Sequence, residues 1–242
     1  MSTLIRIIIT SIISILMLSC NFSMNLGEGI DGNRNVVSAE RNISSDFNSI
    51  KISQGLDLYI TQSNTVSLSL EADENLHDII MTEVKNGVLS IYTSENIRRA
   101  TSKKIILNIT DLSSIKATSG SDVYSTNTIK TEELILSSTS GADIELDVET
   151  TKLDCDSTSG SDITVRGTTK ILMASATSGS DIDARNLSAE KSDVKATSGA
   201  DIYINTSKEL TARATSGGDI RYSGNPKKVI KSDNSAGSVQ KQ

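Results

Sequence analysis

The sequence predicts an all-β fold of the solenoid type, with coils of about 20 residues stacked along one axis. The first observation is a Thr-Ser-Gly-x-Asp segment that recurs through the second half of the chain, at steps of 18 to 21 residues. The second is a composition rich in Ser, Thr, Asp and β-branched residues but only 3% aromatic. Self-similarity at such a period is typical of units that bury their apolar faces against one another, and small side chains suit a narrow core. The glycines of the repeat are Gly120, Gly141, Gly160, Gly179, Gly199 and Gly217, followed by a degenerate copy at Gly237.

Residues 1–19 have the pattern of an export signal. Arg6 precedes an apolar run from Ile7 to Leu18, and the small residue Ser19 follows it. The run is shorter than the ~20 apolar residues that cross a bilayer. Cys20 comes directly after it, which resembles the lipobox of bacterial lipoproteins and implies that a diacylated Cys20 begins the mature chain. The alternative is an ordinary secretory signal with an incidental cysteine, and both readings predict an exported protein.

The charges and cysteines exclude several classes of protein. Cys155 is the second of 2 cysteines, so the mature domain lacks an intrachain disulfide unless Cys20 is free. The net charge is −6. Adjacent basic residues occur only as isolated pairs, at Arg98-Arg99, Lys103-Lys104 and Lys227-Lys228, which excludes a nucleic-acid footprint and leaves no nucleic-acid partner to expect. The acidity instead fits a solvent-exposed extracytoplasmic surface.

The mature chain divides into a tether and one domain. Residues 20–35, rich in Asn, Ser and Gly, predict a flexible tether. Residues 36–240 predict a single β-helix domain, with an irregular part at 36–113 and regular repeats at 114–240. A single helical turn is expected within Asp73 to Val84, where apolar residues follow helical spacing. The irregular part is either the same architecture with eroded repeats, such as Gly55-Leu56-Asp57, or a capping sheet.

Each repeat alternates inward and outward positions. Counted from the glycine, the positions seven and five before it are mostly apolar, and the position three before it is always Ala or Ser. The position three after it is always Val or Ile, as in Ile163. These odd offsets share one parity and therefore point into the core, whereas the Thr and Asp two positions from the glycine point out. Two strands joined at a glycine bend form one coil, because glycine tolerates a positive φ.

Three segments and the repeats together resemble the auto-transporter adhesin family with the head GIN domain. The segments are Phe47-Asn48-Ser49-Ile50-Lys51-Ile52, Gly55-Leu56-Asp57-Leu58-Tyr59-Ile60 and Asn86-Gly87-Val88-Leu89-Ser90-Ile91. The resemblance covers about residues 36 to 240 and implies an exported Bacteroidetes-type protein with a right-handed parallel β-helix and an adhesin-like role. It supplies no functional residues.

The aspartates of the repeats form the first candidate site, because stacked coils place them in a column with spacings of about 5 Å. Neighbouring carboxylates repel by about 0.8 kcal/mol even in water, so something must compensate. Calcium is one answer, but each repeat offers a single carboxylate. Hydrogen bonds from the amides of the same bend and from nearby hydroxyls are the favoured answer, with no metal expected. The column consists of Asp122, Asp143, Asp162, Asp181, Asp201 and Asp219.

The outward threonines form the second candidate site. A regular hydroxylated surface suits glycans or crystalline ligands, although cross-strand pairing of threonines in a sheet explains the pattern equally well. The column consists of Thr118, Thr139, Thr158, Thr177, Thr197 and Thr215.

Catalysis has little support in the sequence. His77 is the single histidine, and the uniform repeats leave no long insertions to build an active site. Cys155 has core parity, and Asp156-Ser157-Thr158 resembles a short O-glycosylation acceptor whose serine points inward. We therefore predict a non-enzymatic, cofactor-free protein, lipid-anchored in the cell envelope at the outer membrane, that presents a rigid face to a glycan or protein. The alternatives are a glycan lyase or hydrolase and a purely structural scaffold.

Overall fold

The computed structural model describes residues 29–233 and 236–242. The predicted signal segment, Cys20 and the tether as far as residue 28 lie outside the described residues. Within the described ranges, no helix is long and apolar enough to cross a membrane.

Strands account for nearly all the regular structure, with one 3₁₀ turn at Glu74–Leu76. Their bounds are β1 (Ile30–Asp31), β2 (Val36–Arg41), β3 (Phe47–Ile52), β4 (Asp57–Gln62), β5 (Ser67–Asp73), β6 (Ile80–Lys85), β7 (Gly87–Thr93), β8 (Ile97–Arg99), β9 (Lys103–Ile109), β10 (Ser114–Thr118), β11 (Asp122–Ser125), β12 (Ile129–Thr139), β13 (Asp143–Thr158), β14 (Asp162–Thr177), β15 (Asp181–Thr197), β16 (Asp201–Thr215), β17 (Asp219–Ser223), β18 (Lys228–Asp233) and β19 (Ser238–Lys241).

The strands confirm the predicted solenoid, a parallel stack of about 7 turns with a repeat of about 19 residues. Strands β13 to β15 each run from one glycine bend to the next, so that a single strand makes almost a whole coil. Each coil pairs in parallel with the next, as Ile144 with Ile163 and Ile163 with Ile182 show. Identical repeat positions therefore lie one above another along the axis.

The interior follows the predicted parity. Ile163, three residues after its glycine, is 0% exposed, and the flanking Ile144 and Ile182 are 1% and 0% exposed. The small residues three positions before the glycine, such as Ser157 and Ala176, are also fully buried. Burial of one aliphatic side chain in every coil, at about 1.5–3 kcal/mol each, drives the coils to stack.

The bends differ from the expectation in one respect, because the serine before each glycine also has a positive φ. Ser159 has φ 62° and Gly160 has φ 67°, and the other five repeats have the same pair. The glycine amide donates to the serine carbonyl of the next coil, as from Gly179 to Ser198 at 3.1 Å. Left-handed serine is unfavourable in isolation, so these hydrogen bonds between coils help to hold it.

The residue after each glycine is buried as well, which the sequence reasoning did not anticipate. Ser161 is 0% exposed, and its Oγ donates to the carbonyl of Ser138 in the preceding coil at 2.8 Å. Ser180 donates in the same way to Ser157 at 2.7 Å. Only a small side chain fits there, and its hydroxyl satisfies a buried carbonyl.

The irregular N-terminal part combines the two predicted alternatives, because it contains both eroded coils of the same helix and a capping sheet. Strands β3 and β4 continue the helix, because they pair in parallel with β10 and β11. Strands β2, β5, β6, β7 and β9 add antiparallel pairs that cover this end of the stack. Gln54 and Gly55 share the positive φ of the later bends, so Gly55-Leu56-Asp57 is an eroded repeat.

Two details of the N-terminal prediction are corrected or narrowed. Within the segment predicted as a flexible tether, Ile30–Asp31 forms a strand paired with Ile97–Arg99, so this part of the segment belongs to the fold. The helical turn expected within Asp73 to Val84 is limited to Glu74–Leu76, and Ile80–Lys85 is a strand.

The buried carboxylate of Asp73 stabilises the N-terminal end of the stack. Asp73 is 0% exposed and accepts hydrogen bonds from the amides of Arg34, Thr101 and Ser102 at 3.1 to 3.3 Å. Burial raises the pKa of Asp73, but these amide donors outweigh it and leave the pKa below its ordinary value. Asp73 thus joins three chain segments through one ionised group.

Candidate functional site

The aspartate column exists and is longer than predicted. Asp57 of the eroded repeat pairs in register with Asp122, and the register continues through all six predicted aspartates to Ser238. Adjacent coils lie about 4.8 Å apart, the ordinary separation of strands. The side chains are half-buried or exposed, so the column forms an acidic stripe on the outer surface beside the bends.

The hydrogen bonds of the column do not come from its own bends, so that part of the prediction is wrong. The amide of Asp181 donates to Oδ1 of Asp162, and the amide of Asp201 donates to Oδ1 of Asp181, both at 3.3 Å. At the end of the column, the Ser238 hydroxyl donates to Oδ1 of Asp219 at 2.7 Å. The glycine amides of the bends are not available to the carboxylates, because they donate to carbonyls of the next coil.

Three carboxylates of the column, those of Asp57, Asp122 and Asp201, have raised pKa values. Burial is the largest cause of the raised pKa of Asp122, and the neighbouring charges of Asp57 and Asp143 raise it further. Burial is also the largest cause of the raised pKa of Asp201, and the neighbouring charges of Asp181 and Asp219 raise it further. The repulsion expected from the sequence is therefore present, and the neighbouring coils relieve it only in part.

Replacing one of these carboxylates tests that repulsion. Because the folded pKa of Asp122 is raised, the native state binds more protons than the unfolded state just above the ordinary pKa of aspartate, and stability falls as pH rises through that window. Asp122→Asn should therefore raise the free energy of unfolding at pH 7, by up to about 1 kcal/mol. Denaturant titrations at pH 7 and pH 3 measure the change, which should nearly vanish at pH 3.

Asp183 provides the matched control, because it is an aspartate on the outer face two residues after Asp181 of the column. The Arg185 side chain donates to it and lowers its pKa, so its stabilising contribution is present above the ordinary aspartate pKa and is lost as pH falls through the lowered one. Asp183→Asn should lower stability at pH 7. If both variants shifted stability in the same direction, the repulsion assigned to the column would be wrong.

Calcium is the other way to compensate such a column. Among residues 29–233 and 236–242, no three or more His, Cys, Asp or Glu side chains are grouped so as to hold a metal ion. We expect the melting temperature to be the same in millimolar calcium and in chelator. A rise with calcium that Asp162→Asn abolishes would contradict this expectation, because a ligand that binds only the native state stabilises it by mass action.

The predicted threonine column lies on the outer face just before the bends, and its six side chains are half-buried. Cross-strand pairing of hydroxyls is found for Thr215 and Thr197, at 3.0 Å. In four other repeats the threonine hydroxyl contacts the serine that follows it, as in Thr158 and Ser159 at 3.4 Å. Those serines are exposed, so the bend edge displays a double row of hydroxyls.

A groove of about 780 Å³ lies at the opposite corner of the coils and was not predicted. Its buried floor contains Thr150, Thr169 and Ala189, which are in register in successive coils. The Thr150 hydroxyl donates to that of Thr169 at 2.9 Å. The walls are formed by Lys130, Thr131, Glu132, Glu149, Thr151, Thr168, Lys170, Ser188, Glu190, Asn205 and Ser207.

Ion pairs between coils order the walls of this corner groove. Lys130 Nζ lies 2.8 Å from Glu149 Oε2, and Lys208 Nζ lies 2.7 Å from Glu190 Oε2. The hydrogen bond from Lys208 lowers the pKa of Glu190. Lys170, between these pairs, is exposed. The groove therefore offers hydroxyls, an amide and charged groups of both signs, which suits a polar, hydroxyl-rich ligand.

A signal for the corner groove was present in the sequence. The repeats vary in length, and the register shifts that absorb the variation lie at 164–167, 184–188 and 189–191, on the half of the coil that approaches this corner. Variation confined to one corner of a repeat marks the place where a solenoid departs from a uniform surface.

The remaining sequence candidates have structural roles. Cys155 is fully buried and burial raises the pKa of its thiol, which makes it unreactive. Ser157, of the resembled glycosylation acceptor, is 0% exposed. His77 is half-buried, and its Nε2 lies 3.2 Å from the carbonyl of Val37.

Comparison with known proteins agrees with this architecture. The family described as "putative auto-transporter adhesin, head GIN domain" matches residues 46–226, which is most of the chain. The chain belongs to this family. Membership supports an adhesin-like role and a place at the envelope surface or outside the cell. No curated protein matches the chain.

Solved structures similar to this family member share its fold. A "putative adhesin" from Bacteroides fragilis superposes with a TM-score of 0.81 at 22% identity, covering 88% of this chain and 100% of its own. A "putative lipid binding protein" from Parabacteroides distasonis gives 0.75 at 25% identity, covering 89% and 100%. A "putative adhesin" from Parabacteroides merdae gives 0.72 at 22%, also covering 89% and 100%.

Proposed function

We propose that this protein is a non-enzymatic, adhesin-like protein of the cell envelope that binds an extended glycan in the corner groove. The groove itself carries the proposal, because it is a long polar channel on an otherwise regular solenoid. It crosses five successive coils, from the one containing Lys130 to the one containing Asn205. At about 4.8 Å per coil it is about 19 Å long, enough for several sugar units.

The chemistry of the walls fits a carbohydrate. Sugar hydroxyls both donate and accept hydrogen bonds, and Thr, Ser, Asn and carboxylate side chains supply partners of both kinds. Strand-borne side chains on a stacked sheet are held rigidly, which limits the entropy lost on binding. A polymer with a repeat close to the coil spacing could make the same contacts in each coil.

A glycan-active enzyme is the rival, because acidic and basic groups do meet in this groove. A glycosidase needs one carboxyl group with a raised pKa as general acid. Glu190 has the opposite property, since the hydrogen bond from Lys208 lowers its pKa. Glu149 is held in an ion pair with Lys130. These carboxylates favour binding over proton transfer.

A glycan array tests the proposal. The exported chain with Cys20→Ser, to keep it soluble, should bind one class of extended polysaccharide, and affinity should be measured by calorimetry. Thr168→Ala with Lys170→Ala should weaken binding at least tenfold, because both side chains lie in the groove walls. Lys195→Ala, an exposed lysine on another face, is the control.

Two outcomes would overturn the proposal. Equal affinity of the groove variant and the control would place the glycan elsewhere on the protein. Release of new reducing ends or unsaturated sugars during incubation with the bound glycan would show an enzyme.

We further propose that the protein is lipid-anchored at the outer membrane through Cys20, which lies outside the described residues. Radiolabelled palmitate should enter the wild-type protein in cells and should be absent from Cys20→Ala. Equal labelling of the two, or a mature protein that begins at another residue, would contradict lipid attachment at Cys20.

A further inference from the structure

A pair of lysines on the outer face near the N-terminal end departs from the charge pattern of the solenoid. Lys51 and Lys116 lie opposite each other in the parallel strands β3 and β10, so both side chains emerge on the same face about 4.8 Å apart. Both are exposed. Within the described residues, neither side chain takes part in a hydrogen bond or an ion pair.

At several other places on the solenoid, a basic side chain pairs with an acidic side chain of the neighbouring coil. Arg166 pairs with Glu145, Lys191 with Glu209 and Arg213 with Asp193, at 2.6 to 3.1 Å. Like charges directly opposite each other are destabilising. Lys195 and Arg213 are also in register, but Arg213 is paired with Asp193. Lys51 and Lys116 differ because they face each other with no ion pair to any described residue on either side chain.

The carboxylates of the same row do not lie directly opposite either lysine. Asp156 is separated from Lys116 by Ser137. Glu83 is separated from Lys51 by Ser90, across β7. It is already engaged, because Lys85 Nζ and the Tyr92 hydroxyl each lie 3.1 Å from its oxygens. This engagement holds Tyr92 beside the lysines.

The lysines border a recess of about 350 Å³ that also contains Tyr92 and the hydroxyl-bearing residues Ser53, Ser90 and Thr118. The recess is a second concavity, built on β3, β6, β7 and β10, and it shares no residue with the corner groove. An anionic oxygen group between the two ammonium groups would replace their repulsion by two charge-assisted hydrogen bonds.

We propose that this recess binds an acidic saccharide, whose carboxylate or sulfate lies between Lys51 and Lys116. The tyrosine ring offers an apolar surface to the sugar, and its hydroxyl is fixed by Glu83. The serine and threonine hydroxyls supply partners for sugar hydroxyls. The site shares no residue with the corner groove and adds a preference for acidic glycans.

The test uses an oligogalacturonate as probe and the exported chain with Cys20→Ser, with binding measured by calorimetry at low and at physiological salt. The oligogalacturonate should bind, and its carboxyl-reduced neutral counterpart should bind at least tenfold more weakly. Lys51→Gln with Lys116→Gln should remove that preference, and Tyr92→Leu should weaken binding at both salt concentrations. Lys195→Gln, which deletes an exposed lysine of the same face, should change little.

Other outcomes overturn the inference. If Lys195→Gln weakened oligogalacturonate binding as much as the double lysine change, the binding would reflect general attraction between opposite charges and no specific site. Inorganic sulfate that binds as tightly as the saccharide would show an anion site without sugar recognition. Binding to phosphatidylglycerol vesicles but not to oligogalacturonate, abolished by the double lysine change, would assign the recess to lipid headgroups. Thr168→Ala with Lys170→Ala should leave the preference for oligogalacturonate over its neutral counterpart intact. The groove variant therefore tests the proposed glycan site in the corner groove, and the double lysine change separately tests the recess.

Discussion

Ile163→Asp is expected to lower the free energy of unfolding by several kcal/mol, the largest effect of any substitution considered. Ile163 is 0% exposed and lies between Ile144 and Ile182 of the adjacent coils, so the new carboxylate would have no polar partner in a narrow apolar column. Burying an unpaired charge costs far more than losing the aliphatic contacts alone. Denaturant titration of the exported chain measures the change, and a variant that is unfolded without denaturant would be the extreme form of the same result.

Thr158→Asp is the matched control, because it introduces the same carboxylate in the same coil. Thr158 is half-buried on the outer face and is in register with Thr139 and Thr177. A charge there remains hydrated, so the loss should stay below about 1 kcal/mol. Equal shifts of the two denaturation midpoints would refute the inward and outward assignment on which every column in this protein depends.

Gly167→Ala is expected to destabilise the protein by about 3 kcal/mol or more, from backbone strain and overpacking together. Gly167 has φ +108°, and a Cβ atom there would lie 2.1 Å from the carbonyl oxygen of Val148. That oxygen belongs to the backbone of the preceding coil, so it cannot swing away. Relief would require the two coils to separate where they pair in register. Chemical denaturation again provides the measurement.

Gly160→Ala, in the repeated Thr-Ser-Gly-x-Asp motif, should destabilise the protein less than Gly167→Ala. Gly160 has φ +67°, but a Cβ atom there would meet nothing within 4 Å. Only the intrinsic penalty of a left-handed alanine, about 1–2 kcal/mol, is then expected. A larger loss for Gly160→Ala than for Gly167→Ala would mean that bend conformation, and not contact between coils, limits the stability of the fold.

The comparison of these glycines shows how sequence reasoning succeeded and failed. The repeated motif predicted the bend at Gly160, because a local pattern reports a local backbone conformation. Gly167 carries no repeated signal, since Val148 and Leu187 occupy its place in the adjacent coils. Its importance comes from how closely the backbone of another coil approaches, which is a property of stacking.

The candidate sites divide in the same way. The aspartate and threonine columns follow from parity and period, and the register of the strands aligns the members of each column. The bend amides expected as donors to the aspartates were wrong, because the glycine amides donate to the next coil and two of the carboxylates receive the amides of neighbouring aspartates instead. The expected hydroxyl donor is present at Asp219, where Ser238 donates. That Asp57 belongs to the aspartate column follows only from the register between β4 and β11, because the eroded repeat does not reveal this pairing in the sequence.

By itself, the sequence determined the solenoid, its period, the inward aliphatic column and the outward polar columns, because each depends on residues within one repeat of about 20. Only the tertiary structure decided the double left-handed bend, the antiparallel cover at the N-terminal end, the corner groove and the recess between Lys51 and Lys116. Those features depend on which residues of different coils become neighbours. That pairing is set by the stacking of the whole chain, where small changes in repeat length shift the register at one corner and leave the other unchanged.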